Sequence, residues 1–292
     1  MSSTAPSTVN EMETDTKPAK VSLEAKSPYE MRVHLGEDVP DTDVRSALKT
    51  GDMGFLHSFT TGSAVDGPGI RLVAWTTACM FRCQYCHNPD TWTLSNGIPV
   101  TLEQAIEEVR KYANGLKAMG GGFTLSGGEP LMQDRFAARL FAAVKGMGVH
   151  TAIESNGYFG DRLSDDELRN IDLFIFDMKA FNLEQHKRVT GRDNEEVLAF
   201  ARRLSELKRP MWLRYVLVPG LTDDPLEMDA VARFGASLGV VERVEILPFH
   251  QMGKYKWERL NLEYQLSATE PPTQDGVAEA VAIFRSAGLD AD

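Results

Sequence analysis

Apolar residues fall along this chain in short dense runs, and between the runs they recur at spacings of three and four. Runs rich in Val, Ile, Leu and Phe occupy residues 70–77, 123–126, 149–155, 173–178, 212–218 and 244–247. They are little interrupted by polar residues, the pattern of strands buried on both faces. After the first run, Leu102, Ile106, Val109, Ala113 and Leu116 share one helical face. Thr101 stands at its start with Gln104 placed to complete a capping box, and glycines at 120–122 end it. Phe136, Leu140, Val144 and Met147 predict a second helix, stopped by Gly148, and Ser164 with Glu167 begins a short third. Leu198, Leu204 and Leu207 mark a fourth, residues 228–238 a fifth, and residues 277–284 a sixth after Pro271 and Pro272.

Six strand–helix units with short connections call for a parallel sheet with right-handed crossovers. Six units fall short of a closed eight-fold barrel, so the predicted fold class is α/β, a partial (β/α)6 barrel of parallel strands. A doubly wound open sheet is the alternative. Composition does not change from residue 51 to residue 292, which predicts one domain there. Residues 1–50 are rich in Ser, Thr, Pro and charge and are read as a disordered N-terminal extension. Tyr29, Met31, Val33 and Leu35 alternate like a short strand, so a loosely docked arm is the other reading.

Charge prunes the partners. A formal net charge of −11 over 292 residues argues against nucleic-acid binding and against attachment to anionic membranes. No apolar run approaches the length of a membrane span, and residues 1–10 lack the basic and apolar regions of a secretory signal. A cytoplasmic location is expected.

In parallel α/β folds the chemistry collects where the C-terminal ends of the strands deliver their loops. The unusual residues fall there: the segment from Cys79 to His87 after the first run, Gly127-Gly128-Glu129 after the second, Glu154-Ser155 at the end of the third, Asp177-Met178-Lys179 at the fourth, Arg214 on the fifth and His250 beyond the sixth. All three cysteines lie in a Cys-x3-Cys-x2-Cys segment, Cys79, Cys83 and Cys86. In a cytosolic chain such a cluster reads as metal chemistry, not as a disulfide framework. A [4Fe–4S] cube offers four corners to three thiolates, which leaves one iron open for a ligand. A zinc site closed by His87 is the competing reading. His87 is adjacent to Cys86 and poorly placed for tetrahedral closure. Three inert buried cysteines are a third.

The cysteine spacing, with Tyr85 just before the last cysteine, resembles the signature of the radical S-adenosylmethionine superfamily. The resemblance implies a cluster whose open iron is chelated by the methionyl amine and carboxylate of S-adenosylmethionine. Reductive cleavage of that cofactor then yields a 5′-deoxyadenosyl radical. Further blocks narrow the likeness: Asp66-Gly67-Pro68-Gly69-Ile70-Arg71, Cys86-His87-Asn88, Trp212-Leu213-Arg214-Tyr215-Val216, Ile246-Leu247-Pro248-Phe249-His250 and Gly253-Lys254-Tyr255-Lys256-Trp257. Together they resemble the activases of glycyl-radical enzymes, in the branch that serves pyruvate formate-lyase under anaerobic conditions. The likeness runs from about Leu56 to the last helix.

By that resemblance Cys79, Cys83 and Cys86 hold the cluster, and Tyr85, Cys86, His87, Gly128, Glu129, Asp177, Met178, Lys179 and His250 fall where S-adenosylmethionine binds. Glu129 is expected to balance the methionyl ammonium, and Gly127 and Gly128 to allow a close backbone approach. A monovalent-cation site is implied at Glu154, Ser155 and Asp177, although the family's pair is Asp-Thr. Asp66, Arg71 and His87 are expected to receive the substrate's glycine loop. The implied partners are a pyruvate formate-lyase and a reduced flavodoxin or ferredoxin as electron donor. No inserted ferredoxin-like cysteine sets occur, which fits this branch. A radical enzyme acting on a small molecule such as a modified purine, or an activase of another glycyl-radical enzyme, is the alternative enzymatic reading. A cluster-carrying electron-transfer or sensor protein is the non-enzymatic one.

Overall fold

The computed structural model describes residues 44–292. All six expected strands form: β2 (Arg71–Thr76), β4 (Gly122–Gly127), β5 (His150–Ser155), β6 (Leu173–Asp177), β7 (Met211–Leu217) and β8 (Val241–Pro248). They lie side by side in chain order, every neighbouring pair parallel. Phe123, Leu125, Ile153, Phe174 and Leu213 are almost wholly buried, as strands covered on both faces require.

Two strands extend the sheet beyond the sequence expectation. β1 (Met53–Ser63) runs antiparallel to β2, and β3 (Ile98–Thr101) antiparallel to β1 at the sheet's far edge. The sheet stays open. At the β8 edge the C-terminal residues take up the free backbone groups, Val244 N–H donating to Asp290 O at 2.7 Å and Ile246 N–H to Asp292 O at 2.9 Å. The result is the partial barrel, with a mostly parallel sheet and helices packed on its outside.

The helices are α1 (Val44–Thr50), α2 (Leu102–Ala118), α3 (Asp134–Gly146), α4 (Asp165–Leu168), α5 (Leu183–Thr190), α6 (Glu195–Glu206), α7 (Pro225–Leu238), α8 (Lys254–Arg259) and α9 (Gln274–Ser286). Both predicted capping boxes form, Thr101 with Gln104 and Ser164 with Glu167. Helices α1, α5 and α8 were not anticipated. Residues 44–50, placed in the tail by composition, form α1, and Arg139 of α3 donates to Thr50 O at 2.9 Å. The rest of the predicted tail, including Tyr29, Met31, Val33 and Leu35, lies outside the described residues. Among the described residues no helix is long and apolar enough to cross a membrane.

Candidate active site

The cysteine loop leaves β2 at the C-terminal end of the sheet and is pinned from four directions. Its first turn is strained: Ala78 takes φ of 76°, a left-handed conformation that costs a non-glycine residue about 1–3 kcal/mol. Ala78 N–H donates to Thr91 O at 2.8 Å, and Ala78 O accepts from Glu129 N–H at 2.8 Å, so the conformation is over-determined. Cys79 N–H donates to Trp92 O at 3.1 Å. On the other side the loop docks on the last turn of α5, whose carbonyls have no partner within the helix. Arg82 N–H takes Thr190 O at 2.8 Å, Gln84 N–H takes Val189 O at 3.1 Å, and Gln84 Nε2 takes Arg188 O at 2.6 Å.

From α8, Trp257 donates its indole N–H to Cys86 O at 2.9 Å and packs edge-on against Trp92. Lys256 bonds Asn88 Oδ1 at 2.8 Å and lies 3.2 Å from Asp90, whose other neighbour is His57 at 3.3 Å. Gly253 faces the backbone of His87, where an added Cβ would sit 2.9 Å from the carbonyl oxygen. The Gly253–Trp257 block is therefore a clamp on the cysteine loop.

All three thiols are free. Burial, reinforced by the charge of neighbouring Cys83, pushes Cys86 up to about 12 and Cys79 higher still. Burial likewise raises Cys83. Desolvation favours the neutral thiol at all three, and a cationic metal centre would favour the thiolate. Beside them, Tyr85 Oη is buried without a hydrogen-bond partner, and Lys179 Nζ lies 5.4 Å from the centre of its ring. Lys179 is paired with Asp177 at 3.1 Å. Burial opposes its charge most, but Asp177 together with Tyr85 and Cys83 outweighs it and holds Lys179 well above its ordinary value. His87 and His250, far apart in sequence, meet edge-on at 4.9 Å on the rim.

Several predicted residues point elsewhere than expected. Glu129, anticipated against the cofactor amine, is fully buried, and its carboxylate is spent within the protein. One oxygen accepts from Leu131 N–H at 2.9 Å and Ser155 Oγ at 2.8 Å, the other from Asn156 N–H at 2.8 Å. It ties the end of β4 to the end of β5, and burial raises its carboxyl to about 7. The glycines before it serve the same joint. A Cβ at Gly127 would lie 2.2 Å from Thr76 N, and one at Gly128 2.4 Å from Ala78 O, so the close approach is to the cysteine loop's own backbone. Met178 is buried in the core, and its N–H bonds Arg214 O at 3.0 Å. Arg71 is wholly enclosed beneath the mouth. It donates to Thr124 Oγ1 at 2.9 Å and to Phe123 O at 2.6 Å, so its side chain does not reach the rim. Asp66 does reach the interior of the mouth, near Arg214 at 3.8 Å.

Comparison with known proteins decides the lineage. The profile of the Radical SAM superfamily matches residues 73–231, more than half of the chain. The pyruvate formate-lyase-activating enzyme of Staphylococcus epidermidis is 43% identical over 234 residues, covering 78% of this chain and 93% of the relative. The chain belongs to the radical SAM superfamily and, within it, to the pyruvate formate-lyase-activating enzymes. The Staphylococcus aureus enzyme of the same name is 42% identical over the same shares. A crystallised domain of such an enzyme from Bacteroides vulgatus superposes with a TM-score of 0.50 at 26% identity, over 59% of this chain and 98% of that one. A radical SAM methyltransferase from Sphaerobacter thermophilus shares the fold, with a TM-score of 0.55 at 19% identity, over 76% of this chain and 65% of that one.

Membership of the superfamily implies a [4Fe–4S] cluster and S-adenosylmethionine, and the residues present fit both. Three free thiols stand on one anchored loop, with the orphaned Tyr85 hydroxyl and the Lys179–Asp177 pair beside them; among the described residues no three His, Cys, Asp or Glu side chains are gathered around a single-ion site, so the fit is to a cluster spread over three thiols. The implied monovalent cation does not fit. Glu154 bonds the Arg214 guanidinium through one oxygen and accepts from Ser126 Oγ through the other. The Ser155 hydroxyl is held between Glu129 and Gly157 N–H, and Asp177 already carries Lys179. Arg214 was noted in the sequence as a strand-end residue and part of the Trp212–Val216 block, with no role assigned. Burial disfavours its charge, but Glu154 and Glu245 outweigh that and raise its pKa. Arg214 in turn holds Glu154 below the usual carboxylate value against burial. Asp66 is raised by burial and by Glu154.

Proposed function

We propose that the chain installs a glycyl radical on pyruvate formate-lyase, with Cys79, Cys83 and Cys86 holding the cluster and the open end of the barrel holding S-adenosylmethionine. Identity over most of the chain to curated activating enzymes carries this reading, and the preformed cysteine loop supports it. Bound there, the cluster and S-adenosylmethionine would supply one-electron reductive chemistry that removes a hydrogen atom from a glycine Cα and releases methionine and 5′-deoxyadenosine. A reduced flavodoxin or ferredoxin supplies the electron.

The protein's own work is position and exclusion. Tyr85 offers its unpartnered hydroxyl, and Lys179 and Asp177 a fixed pair of opposite charges beside the thiols. His87 and His250 form the rim toward the adenosine end and the incoming loop. The Asp66 loop, fastened to Arg214, borders the path by which a backbone glycine enters. A glycine suits a narrow mouth because it brings no side chain.

The test is to combine reconstituted, reduced enzyme with S-adenosylmethionine and a pyruvate formate-lyase labelled with Cα-deuterated glycine. One deuterium should appear in 5′-deoxyadenosine as a glycyl-radical signal rises in the lyase. Turnover of S-adenosylmethionine with neither result would refute the assignment.

A further inference from the structure

Arg214 stands where the mouth would otherwise need a metal cation. Its side chain is 7% exposed, and it is engaged on every polar edge. One terminal nitrogen bonds Glu154 and lies 3.8 Å from Asp66, the other donates to Val65 O, and Nε meets Glu245 at 2.7 Å. Arg214 sits on β7, opposite Asp177 of β6 in register. Glu154, on β5, therefore spans β6 to reach it, while its second oxygen is held by Ser126 of β4. An aspartate at 154 would be shorter by one carbon–carbon bond, about 1.5 Å, and could not keep both contacts.

Two cations stand inside the mouth with its four carboxylates: Arg214 meets Glu154, Glu245 and Asp66, and Lys179 pairs with Asp177. Arg243, 3.7 Å from Glu245, is half exposed and already held by Asp292 at 2.6 Å. A potassium or sodium ion at Glu154 would have to displace a guanidinium that already makes four polar contacts. It would also have to take oxygens from Ser155 and Asp177 that have partners. Hard cations need several such oxygens at once.

We propose that Arg214 is the resident cation of this mouth, a positioning residue that fixes Glu154 and the Asp66 loop, and that the enzyme binds S-adenosylmethionine without a monovalent metal ion. The proposal rests on the assignment of S-adenosylmethionine to the mouth. The long acid at 154 and the buried arginine are then one device: Glu154 reaches the internal cation and leaves an external one unnecessary.

The test is calorimetry of S-adenosylmethionine binding to the reconstituted enzyme, at about 0.1 M ionic strength set by potassium, sodium or tetramethylammonium chloride. The three dissociation constants should agree within about threefold. A saturable tightening beyond that by potassium or sodium, relative to tetramethylammonium, overturns the proposal. Arg214→Met should make the affinity depend on which salt is present, because it frees Glu154 and Glu245, whereas Arg214→Lys should not. A folded Arg214→Met enzyme indifferent to the salt would place the neutralising charge elsewhere and also overturn it. If that variant does not fold, the salt series on the unaltered enzyme decides alone. Failure to bind S-adenosylmethionine in any salt would refute the assignment of the mouth itself, and this inference with it.

Discussion

Arg71→Met distinguishes a buried strut from a substrate contact. Arg71 donates to Thr124 Oγ1, Phe123 O and Pro68 O at 2.9, 2.6 and 3.3 Å, and its Nη1 lies 3.2 Å from His150 Nδ1. Gly122 makes room for it, since a Cβ there would lie 2.2 Å from Nη1. A hydrogen bond from a charged donor contributes about 1.5–3 kcal/mol, and several are lost together. Part of that returns because a costly buried charge disappears; burial has already lowered the guanidinium to about 10. Methionine fills most of the volume, so little cavity term is added. The net expected loss is about 2–4 kcal/mol, or roughly 5–15 °C in melting temperature for a chain of this size. Thermal melts of the reconstituted enzyme read the first quantity, and radical installation at varied lyase concentration reads the second. The strut account expects a lowered melting temperature with KM for the lyase within about threefold. An unchanged melting temperature with KM raised about tenfold or more would return Arg71 to the substrate loop.

Replacing Cys79, Cys83 or Cys86 singly by alanine should abolish S-adenosylmethionine cleavage and cut iron content, since two thiolates cannot hold the cube; one variant with a full four-iron cluster and full turnover would refute the ligand set. Trp257→Phe keeps the ring packing but strands Cys86 O, a loss of about 1–3 kcal/mol; iron release to a chelator should quicken and the melting temperature fall by roughly 2–10 °C, and equal release rates would count against the clamp. Removing residues 1–50 takes away α1 and one of Arg139's two acceptors, Thr50 O, leaving Asp52, and should lower the melting temperature measurably; an unchanged melt would show that α1 contributes nothing. His150 and His186 are held below 6.5 by burial first, so the unfolded chain takes up protons that the folded one refuses. Their contribution to stability is present above about 6.5 and falls away as pH drops through that value; a His186→Gln variant should show a shallower loss between neutral and mildly acid pH, and parallel curves would refute the assignment.

The parallel strands were legible because burial on both faces leaves a nearly continuous apolar run, and the capping boxes because they are local. β1 escaped detection because it is buried at intervals only, with His57, Ser58, Thr60 and Thr61 among its residues. α5 escaped for a similar reason: its inward face is His186, Val189 and Thr190, of which only Val189 reads as apolar. The cysteine triplet and the meeting of His87 with His250 were readable from placement at strand ends. Direction was not. Whether Glu129 turns to the mouth or inward depends on Asn156 and Leu131, and sequence spacing does not say which donors will surround a carboxylate. Arg71 misled in the same way, because a motif conveys residue type and leaves the side chain's path open.

The anchors of the cysteine loop are drawn from much of the chain, although the chemistry needs only a few thiols. A short loop between Thr76 and Asn88 could adopt many shapes, and a cube requires one. The restraints come from residues distant in sequence: Thr91 and Trp92 just beyond it, Val189 and Thr190 about a hundred residues on, and Trp257 further still. The loop therefore reaches its working shape only when the whole barrel has formed. Cys83 is then buried and Cys79 and Cys86 half-buried, and desolvation disfavours the thiolate at each. This order suits a centre that must not ionise or oxidise beforehand, since an exposed thiolate is the reactive form. The C-terminal clamp contributes no ligand. By closing on Cys86 it restrains the loop that carries the three thiols, and leaves the charge of the site to the cluster that binds there.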